Sequence, residues 1–340
     1  MPIEAFNQFR SYVATEIREL DFTVENEIMY KDLKSSIENI QNDFVITYVD
    51  KVSANYAIIC KYFYSKLLCN HILNNNSFQK SIHINREDDN RPLALNKRLN
   101  IHLNNIKYPS IFLTPKFHKS PIKFRSITNG YNTYITRSGK ILQSLLQNLI
   151  DNLQNTAIIK NSLEIARVTK DMMICSMHGF EFGDLFNSID TDDMIKVLQL
   201  IYDKYELYTS MKKEKFDILV NLVLKENFIT FDQNLYKQIK GLRQGGPASN
   251  CLANLYLHFF ELDHVVNDSY LIYRYIDDII IFGKNIEYKP NITFYPDYLK
   301  LLKTNFNSNM VEFLDLDLHL INNIVVSNIF DTKEIRLSSI

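Results

Sequence analysis

The most informative pattern in the sequence is Leu271-Ile272-Tyr273-Arg274-Tyr275-Ile276-Asp277-Asp278-Ile279-Ile280-Ile281-Phe282. Two adjacent carboxylates lie between two apolar runs, a pattern typical of a β-hairpin whose strands are buried and whose turn projects from a packed platform. Carboxylates held side by side repel each other, and a cation that prefers oxygen ligands, such as Mg²⁺, relieves that repulsion. The pattern therefore predicts a metal site at the hairpin tip. An ordinary hairpin with a polar turn is the alternative.

The 340-residue chain has the composition of a globular protein, with 46% hydrophobic and 23% charged residues. This length allows two or three lobes around a sizeable core. The net charge of −1 argues weakly against strong nonspecific binding of nucleic acid, which usually needs a basic surface.

The chain shows no targeting or membrane signal. Its first residues lack the basic-then-apolar order of a signal peptide, and no apolar run is long enough to span a membrane. The four cysteines have no C-x-x-C pairing or zinc spacing, which indicates reduced, mostly buried thiols. We therefore expect a soluble, intracellular protein without a membrane partner, and the sequence does not distinguish the nucleus from an organelle.

Apolar patterns predict the main elements. Strands are expected at 44–49, 56–60, 111–115, 124–128 and 172–182, the third of them stopped by Pro115. Helices are expected within residues 1–40, over 138–170, from Thr191 onward and over 252–262. Loops and an exposed helix are expected over 70–105. The helix over 138–170 is predicted from apolar residues spaced four apart, namely Ile141, Leu145, Leu149 and Leu153.

Three further segments that carry chemistry precede the hairpin. A strand predicted before residue 183 brings Glu181 and Asp184 close to its end. The loop 241–249 holds three of the eight glycines and leads into a helix N-terminus, which favours anions. A turn between two strands carries the cations Lys116, Lys119, Lys123 and Arg125.

Each segment alone has an ordinary explanation, such as a solvated charged turn or a plain loop before a helix. Two-metal phosphoryl transfer, however, needs carboxylates from two neighbouring strands, basic groups over a triphosphate and a surface against the nascent base pair. The ordered set therefore predicts nucleotidyl transfer.

The chain resembles reverse transcriptases in Tyr-x-Asp-Asp at 275–278, in Gln244-Gly245 and in the aromatic Phe186 after the acidic strand. It is most similar to the Penelope-like elements, a family related to telomerase, and the similarity covers most of the chain. Further matching positions are Asp50-Lys51, Pro115-Lys116-Phe117-His118-Lys119, Phe124-Arg125-Ser126-Ile127, Gln238, Gly241, Pro247, Ser249, Ala253-Asn254, Glu261, Arg274 and Phe313-Leu314-Asp315-Leu316.

This resemblance implies an RNA-directed DNA polymerase of the α+β class, with a right-hand palm and fingers. Its expected partners are an RNA template, a DNA primer and a deoxynucleoside triphosphate (dNTP), and its expected cofactor is Mg²⁺ or Mn²⁺. The implied metal positions are Glu181, Phe182, Asp277 and Asp278, of which the three acids are catalytic. The implied nucleotide-binding residues are Lys116 and Arg125 on the triphosphate, Phe186 under the sugar, and Gln244 and Gly245 along the pocket and the template–primer.

Glu181 departs from the family, which has an aspartate five residues before the aromatic. Asp184 is the fallback ligand, but that register would put Ile189 in the place of Phe186. The extra methylene moves the carboxylate by about 1.5 Å. Mg²⁺ demands near-ideal octahedral geometry, so we expect Mn²⁺ to tolerate the shift better.

The predicted domains are an N-terminal extension with the start of the fingers (1–105), fingers (106–175), a palm (176–290) and the end of the palm or a thumb remnant (291–340). The sequence stops about two dozen residues after 313–316, so the thumb is expected to be short or absent and completed by a protein or RNA partner. No GIY-YIG nuclease domain is expected. Val52-Ser53-Ala54 replaces the glycines usual after Asp50-Lys51.

Two other functions stay open. A reverse-transcriptase-fold protein with weakened or lost catalysis would serve as a nucleic-acid-binding or structural subunit of a ribonucleoprotein. Glu181 and the short thumb favour it, whereas Asp277-Asp278 and Gln244-Gly245 favour the enzyme. An unrelated metal-dependent nucleotidyltransferase would account for the acids but not for the ordered basic and glycine segments.

Overall fold

The computed structural model describes residues 42–50, 52–74, 76–81, 86–102, 107–117, 119–170, 172–285 and 288–329, with the backbone alone at 52–54 and 86–91. The helix expected within residues 1–40, together with Lys51 and His118, lies outside the described residues. The side chains of Val52, Ser53 and Ala54 lie outside them too.

The chain divides into two compact units, Met1–Leu67 and Leu68–Ile340. In the first unit, β1 (Phe44–Val49) and β2 (Val52–Cys60) form an antiparallel hairpin. Both predicted strands are confirmed, and the second begins earlier than expected. Helix α1 (Lys61–Leu73) follows and crosses the boundary between the units. Its apolar residues are spread around the helix, so periodicity did not reveal it.

In the second unit, a five-stranded sheet has the order β3-β8-β7-β4-β5. Its strands are β3 (Phe78–Lys80), β4 (Ser110–Lys116), β5 (Lys123–Asn129), β7 (Phe228–Phe231) and β8 (Asn234–Gln238). Pro115 does not stop β4, contrary to the prediction, because β4 pairs with β7 only at Ser110 and is an edge strand beyond it. Edge strands tolerate proline.

A four-stranded antiparallel sheet, which we call the central sheet, has the order β11-β6-β10-β9. It consists of β6 (Ser176–Phe182), β9 (Tyr270–Tyr275), β10 (Asp278–Gly283) and β11 (Leu301–Lys303). The strand expected at 172–182 begins only at Ser176. A third sheet, β12-β13-β14, is formed by Met310–Phe313, Leu316–Ile321 and Ile324–Ile329.

The helices of the second unit also differ in part from expectation. They are α2 (Arg86–Arg98), α3 (Thr136–Asn152), α4 (Ser162–Thr169), α5 (Leu185–Ser188), α6 (Thr191–Lys204), α7 (Lys213–Leu224) and α8 (Ser249–Glu261). The single helix expected over 138–170 is therefore wrong: it is two helices, separated by an irregular stretch after Leu153. The helix expected from Thr191 is confirmed, and the Asp190 carboxylate caps it by accepting from the amides of Asp192 and Asp193 at 2.9 and 3.0 Å.

Strand β10 of the central sheet is buried on both faces. On one face, Ile279 and Ile281 pack with residues of α3, α6 and α8. On the other face, Ile280 and Phe282 pack with the third sheet through Val311 and its neighbours. This double burial explains why β10 is apolar at every position after Asp278 until Gly283. In the part of the chain that is described, no helix combines the length and the apolar character needed to cross a membrane.

Candidate active site

The acidic hairpin has the geometry that the sequence predicts. Strands β9 and β10 are joined by the two-residue turn Ile276-Asp277, and Asp278 is the first residue of β10. Asp278 lies opposite Glu181 of the neighbouring strand β6. Directly opposed residues in an antiparallel pair share a face and have Cβ atoms about 5 Å apart. Carboxylates from two neighbouring strands therefore lie side by side where β6 ends and β10 begins.

The same register defines a row of side chains across all four strands. Tyr275 of β9 lies opposite Asp278, and Leu302 of β11 lies opposite Glu181. The Asp277 carbonyl accepts a hydrogen bond from the Phe182 amide at 2.9 Å, which fastens the turn to β6. The acidic pair thus lies between an aromatic residue and an exposed leucine on one face of the sheet.

Asp184, the fallback ligand, lies outside this row. It follows Gly183 after β6 has ended, and its backbone has a left-handed φ of 58°. Its carboxylate accepts a hydrogen bond from the side-chain Nδ2 of Asn187 at 2.8 Å. Glu181, not Asp184, is the residue opposite Asp278.

The donor atoms at the hairpin tip are carboxylate oxygens, which suit Mg²⁺ or Mn²⁺. Within the described ranges, however, no three His, Cys, Asp or Glu side chains converge closely enough to hold a metal ion. An ion bound jointly by Glu181, Asp277 and Asp278 would therefore require at least one carboxylate to turn. The Phe182 side chain has no ligand atom and is buried against Tyr295, with ring centroids 4.9 Å apart, so Phe182 could contribute only its backbone carbonyl.

The glycine loop packs against the turn that carries Phe186. The Leu242 amide donates to the Phe186 carbonyl at 2.6 Å, and the Gly241 amide donates to the Ile189 carbonyl at 3.1 Å. Gly241 has a φ of +83°, and a Cβ there would lie 2.8 Å from both the Phe186 oxygen and the Asn187 Cα. Glycine is therefore required for this close approach.

The other side of the loop contacts β5, the strand that carries Arg125. The Thr128 amide donates to the Gln244 carbonyl at 2.8 Å. Gly245 has a φ of +94°, and a Cβ there would lie 2.9 Å from the Thr128 oxygen. Gln244 Oε1 is buried and has no hydrogen-bond partner in the described part of the chain. Gln244 and Gly245 are thus held between β5 and the Phe186 turn.

The basic positions lie on the β4–β5 pair. Lys116 lies directly opposite Lys123, and Thr114 opposite Arg125. The Lys119 amide donates to the Lys116 carbonyl at 3.1 Å in the connecting turn. The predicted cations are therefore brought together by one strand pair.

A buried arginine inside the glycine loop was not predicted. Arg243 Nε donates to Asn227 Oδ1 at 2.8 Å, and Nη2 contacts the same oxygen. Burial lowers the pKa of Arg243, and the neighbouring Tyr134 acts in the opposite direction. Its side chain joins the loop to the start of β7. Nothing in the local sequence distinguishes this arginine from an exposed one.

A second buried arginine, Arg274, lies in β9, the first strand of the acidic hairpin. Its Nε and Nη2 donate to the two oxygens of Glu261 at 2.5 and 3.1 Å, and both side chains are fully buried. Its Nη1 donates to Asn254 Oδ1 at 2.7 Å and to the Ile276 carbonyl at 3.1 Å. Burial lowers the pKa of Arg274, but Glu261 and Tyr295 together outweigh burial, so the net pKa is raised.

Arg274, Asn254 and Glu261 entered the sequence prediction only through the resemblance, without a role. Tyr295, whose hydroxyl donates to Glu261 Oε1 at 2.7 Å, was not predicted at all. Buried polar partners from distant segments leave no local pattern, so only the packing reveals them.

The hairpin turn itself is strained. Ile276 has a φ of +55°, in the left-handed region that a β-branched residue rarely adopts. This conformation costs about 1–2 kcal/mol. The Ile276 side chain packs against the helix-covered core. Surrounding contacts must therefore hold the turn.

Comparisons with solved structures identify the fold. The telomerase of Candida albicans, in complex with a TWJ fragment of telomeric RNA, has a TM-score of 0.57 and 13% identity, covering 90% of this chain and 59% of that chain. The chain has the reverse-transcriptase fold. The apo telomerase of Candida tropicalis has a TM-score of 0.59 and 11% identity, covering 85% of this chain and 57% of that chain. The telomerase of Candida tropicalis in complex with the TWJ fragment of telomeric RNA has a TM-score of 0.60 and 11% identity, covering 92% of this chain and 56% of that chain.

The chain spans less than two thirds of the length of each of these telomerases. No family model matches the chain, and no curated protein sequence does. The α+β, reverse-transcriptase-type fold is confirmed, whereas the similarity to Penelope-like elements and the absence of a GIY-YIG domain stay predictions. The predicted domain limits and the roles of the site residues stay predictions as well.

Proposed function

We propose that the chain is an RNA-directed DNA polymerase. One observation carries this proposal: Glu181 lies directly opposite Asp278 at the tip of the acidic hairpin, in a chain with the reverse-transcriptase fold. In the reaction, the 3′-oxygen of a primer forms a bond to the α-phosphorus of a dNTP. The bond from that phosphorus to the bridging oxygen breaks, pyrophosphate leaves, and the hydroxyl proton is released.

In this proposal, the central sheet is the palm and the β4–β5 pair belongs to the fingers. Glu181, Asp277, Asp278 and the Phe182 carbonyl would hold Mg²⁺ or Mn²⁺. The bound cation would neutralise charge on the phosphates and favour the deprotonated primer hydroxyl. At least one of these carboxylates would have to turn, and we expect Mn²⁺ to tolerate the longer Glu181 side chain better than Mg²⁺, which demands near-ideal octahedral geometry.

The remaining site residues bind and orient the substrates. Lys116 and Arg125 would contact the triphosphate as charge-assisted donors. Phe186 would pack under the sugar, since the glycine loop holds its turn in place. Gln244 Oε1, a buried acceptor without a partner in the described residues, would meet a donor of the nucleotide or of the template–primer.

An RNA template and a DNA primer are the proposed partners. Two of the similar telomerases are bound to a fragment of telomeric RNA, which supports an RNA partner for this chain. A protein or RNA partner that completes a thumb is also proposed, together with an intracellular location.

A second candidate is a reverse-transcriptase-fold subunit that binds nucleic acid without catalysis. One observation favours it: no three acidic side chains of the described residues converge on a metal position.

Primer extension separates the two candidates. The purified chain is given a DNA primer on an RNA template and dNTPs, in Mg²⁺ or in Mn²⁺. We expect templated incorporation that Asp277→Ala lowers at least about 100-fold, since a lost metal ligand costs at least as much as its supporting contacts do. Asp232→Asn, in the exposed turn between β7 and β8, is the matched acidic control and should leave the rate unchanged.

If no Asp277-dependent incorporation occurs in either metal, the polymerase proposal is wrong. Filter binding to an RNA–DNA hybrid then tests the second candidate. Binding that weakens steeply with salt indicates a nucleic-acid subunit, whereas absence of binding contradicts it and leaves a protein-contacting role.

A further inference from the structure

The backbone of the acidic turn lies in a conformation that its own sequence disfavours. In two-residue hairpin turns, a central position with positive φ is normally glycine, asparagine or aspartate. Here the first central position is Ile276, with a φ of +55°. Left to itself, the turn would populate other conformations, and Asp277 and Asp278 would move with it.

Two hydrogen bonds oppose that tendency from different directions. The Phe182 amide donates to the Asp277 carbonyl at 2.9 Å. One peptide unit earlier, Arg274 Nη1 donates to the Ile276 carbonyl at 3.1 Å. These contacts fix the two peptide units on either side of Asp277.

Arg274 can hold this carbonyl because its guanidinium is itself immobile. The Glu261 carboxylate accepts hydrogen bonds from the Arg274 Nε and Nη2. Asn254 accepts from Nη1 through its side-chain oxygen and from Nη2 through its backbone carbonyl, the latter at 3.1 Å. All these partners lie on α8, the helix that begins directly after the glycine loop. The Arg274 backbone is also hydrogen-bonded to the segment 157–159. The Arg274 amide donates to the Ala157 carbonyl at 2.6 Å, and the Arg274 carbonyl accepts from the Ile159 amide at 3.0 Å.

We propose that Arg274 is a positioning residue, whose guanidinium links helix α8 to the Ile276 carbonyl and so keeps Asp277 and Asp278 in their working orientation. The proposal rests on the polymerase function for its catalytic consequence. Its conformational consequence, a turn held in a disfavoured state by Arg274, holds whether or not the chain polymerises.

Replacing Arg274 with lysine tests whether the planar guanidinium with its several donors is needed, or whether a positive charge is enough. Arg274→Lys keeps a cation for Glu261, but a single ammonium cannot serve Glu261, Asn254 and Ile276 together. We expect amide hydrogen exchange in the hairpin 270–283 to become about tenfold faster or more. Exchange in α7, which provides none of the hydrogen-bond partners described for the Arg274 side chain, should stay within about twofold.

The decisive variant is the double substitution. Ile276→Gly removes the disfavoured φ, because glycine adopts the left-handed region freely. If Arg274 holds the strained turn, Ile276→Gly slows hairpin exchange again in the Arg274→Lys background. If Arg274 only stabilises the fold through Glu261, the effects of the two substitutions add, and hydrogen exchange in the hairpin becomes faster still. That result would overturn the proposal, as would unchanged exchange in Arg274→Lys.

The catalytic consequence is measured in the same variants. Arg274→Lys should lower kcat about 10- to 100-fold, as losses of supporting contacts do, and leave KM for the dNTP within about twofold. Ile276→Gly should restore at least about threefold of kcat in the double variant. A rise in KM with kcat unchanged would contradict a positioning role.

Leu222→Ala serves as the stability-matched control, because Leu222 is fully buried in α7, in a separate cluster with Tyr134 and Ile135 that does not include Ile276. It should lower the unfolding midpoint while leaving kcat unchanged, and Ile276→Gly should not correct it. If the wild-type chain incorporates no nucleotide, the polymerase proposal fails and hydrogen exchange alone decides the role of Arg274.

Discussion

Glu181 is the residue on which the site depends most. It lies opposite Asp278, and its side chain is one methylene longer than the aspartate that the resemblance to reverse transcriptases predicts. The register of β6 and β10 excludes Asp184 from the same row. In the proposed site, the carboxylate would therefore be displaced by about one bond length, about 1.5 Å.

The strictest residue-scale requirement is at Gly241, where a Cβ would lie 2.8 Å from the Phe186 oxygen at a φ of +83°. We predict that Gly241→Ala lowers the free energy of unfolding by about 2 kcal/mol or more, because backbone atoms on both sides must shift. Urea unfolding checks the loss. Gly130→Ala is the control, since its nearest contact would be 3.9 Å away, and an equal loss in both variants would contradict the steric reason.

Sequence alone could locate the acids but not the contacts that orient them. The positive φ of Ile276 was not predictable, because isoleucine at that position gives no turn signal. The partners of Arg274 come from α8 and from Tyr295, far away along the chain. Such contacts are properties of the folded packing, and a local pattern cannot encode them.

At the scale of elements, the acidic hairpin was predicted well and helix α3 was not. The hairpin has long apolar strands around a two-residue turn, so both its type and its ends were readable. In α3, a spacing of four residues drifts around a helix of 3.6 residues per turn. The buried residues are Leu142, Leu146, Leu149 and Ile150, whereas Ile141 is 38% exposed.

This correction gives a prediction about α3. Leu146→Ala should lower the free energy of unfolding by about 2–5 kcal/mol, because it leaves a cavity in the core between α3 and the central sheet. Ile141→Ala should cost less than about 1 kcal/mol, since Ile141 already contacts water. Urea midpoints compare the two variants. A larger loss of unfolding free energy for Ile141→Ala than for Leu146→Ala would show that the face with Ile141 is the buried one, and would contradict this packing.

At the scale of the whole molecule, the order of the motifs predicted the fold better than any element did. The β4–β5 pair, β6, the glycine loop and the hairpin come together through hydrogen bonds that the sequence order made plausible, such as the bond from Thr128 to Gln244. The division at Leu67 and the third sheet were not predicted. Edge strands and unit boundaries depend on tertiary pairing, which single-sequence periodicity does not report.

Acid stability is a second whole-molecule property. Burial lowers the pKa of His258 to about 4, although Glu261 acts in the opposite direction. Neutral His258 bonds to the Tyr205 hydroxyl at 2.8 Å. Because the pKa is depressed on folding, this contribution is complete above the unfolded pKa of about 6.5 and is lost as the pH falls through about 4.

We predict that His258→Asn lowers the free energy of unfolding at about pH 7, and that the gap from wild type narrows by about 2 kcal/mol at about pH 4.5. Urea unfolding at the two pH values measures it. Comparing the two proteins cancels the titration of the other acids and histidines. A gap that stays constant with pH would show that His258 is not held neutral.

The central claim is that Glu181 completes a metal site with Asp277 and Asp278. Single-nucleotide incorporation by wild type, Glu181→Asp and Glu181→Gln, each in Mg²⁺ and in Mn²⁺, tests it most directly. We predict that Glu181→Gln lowers incorporation at least about 100-fold in both metals, and that Glu181→Asp raises the rate in Mg²⁺ relative to that in Mn²⁺. Incorporation by Glu181→Gln at the wild-type rate would contradict the claim.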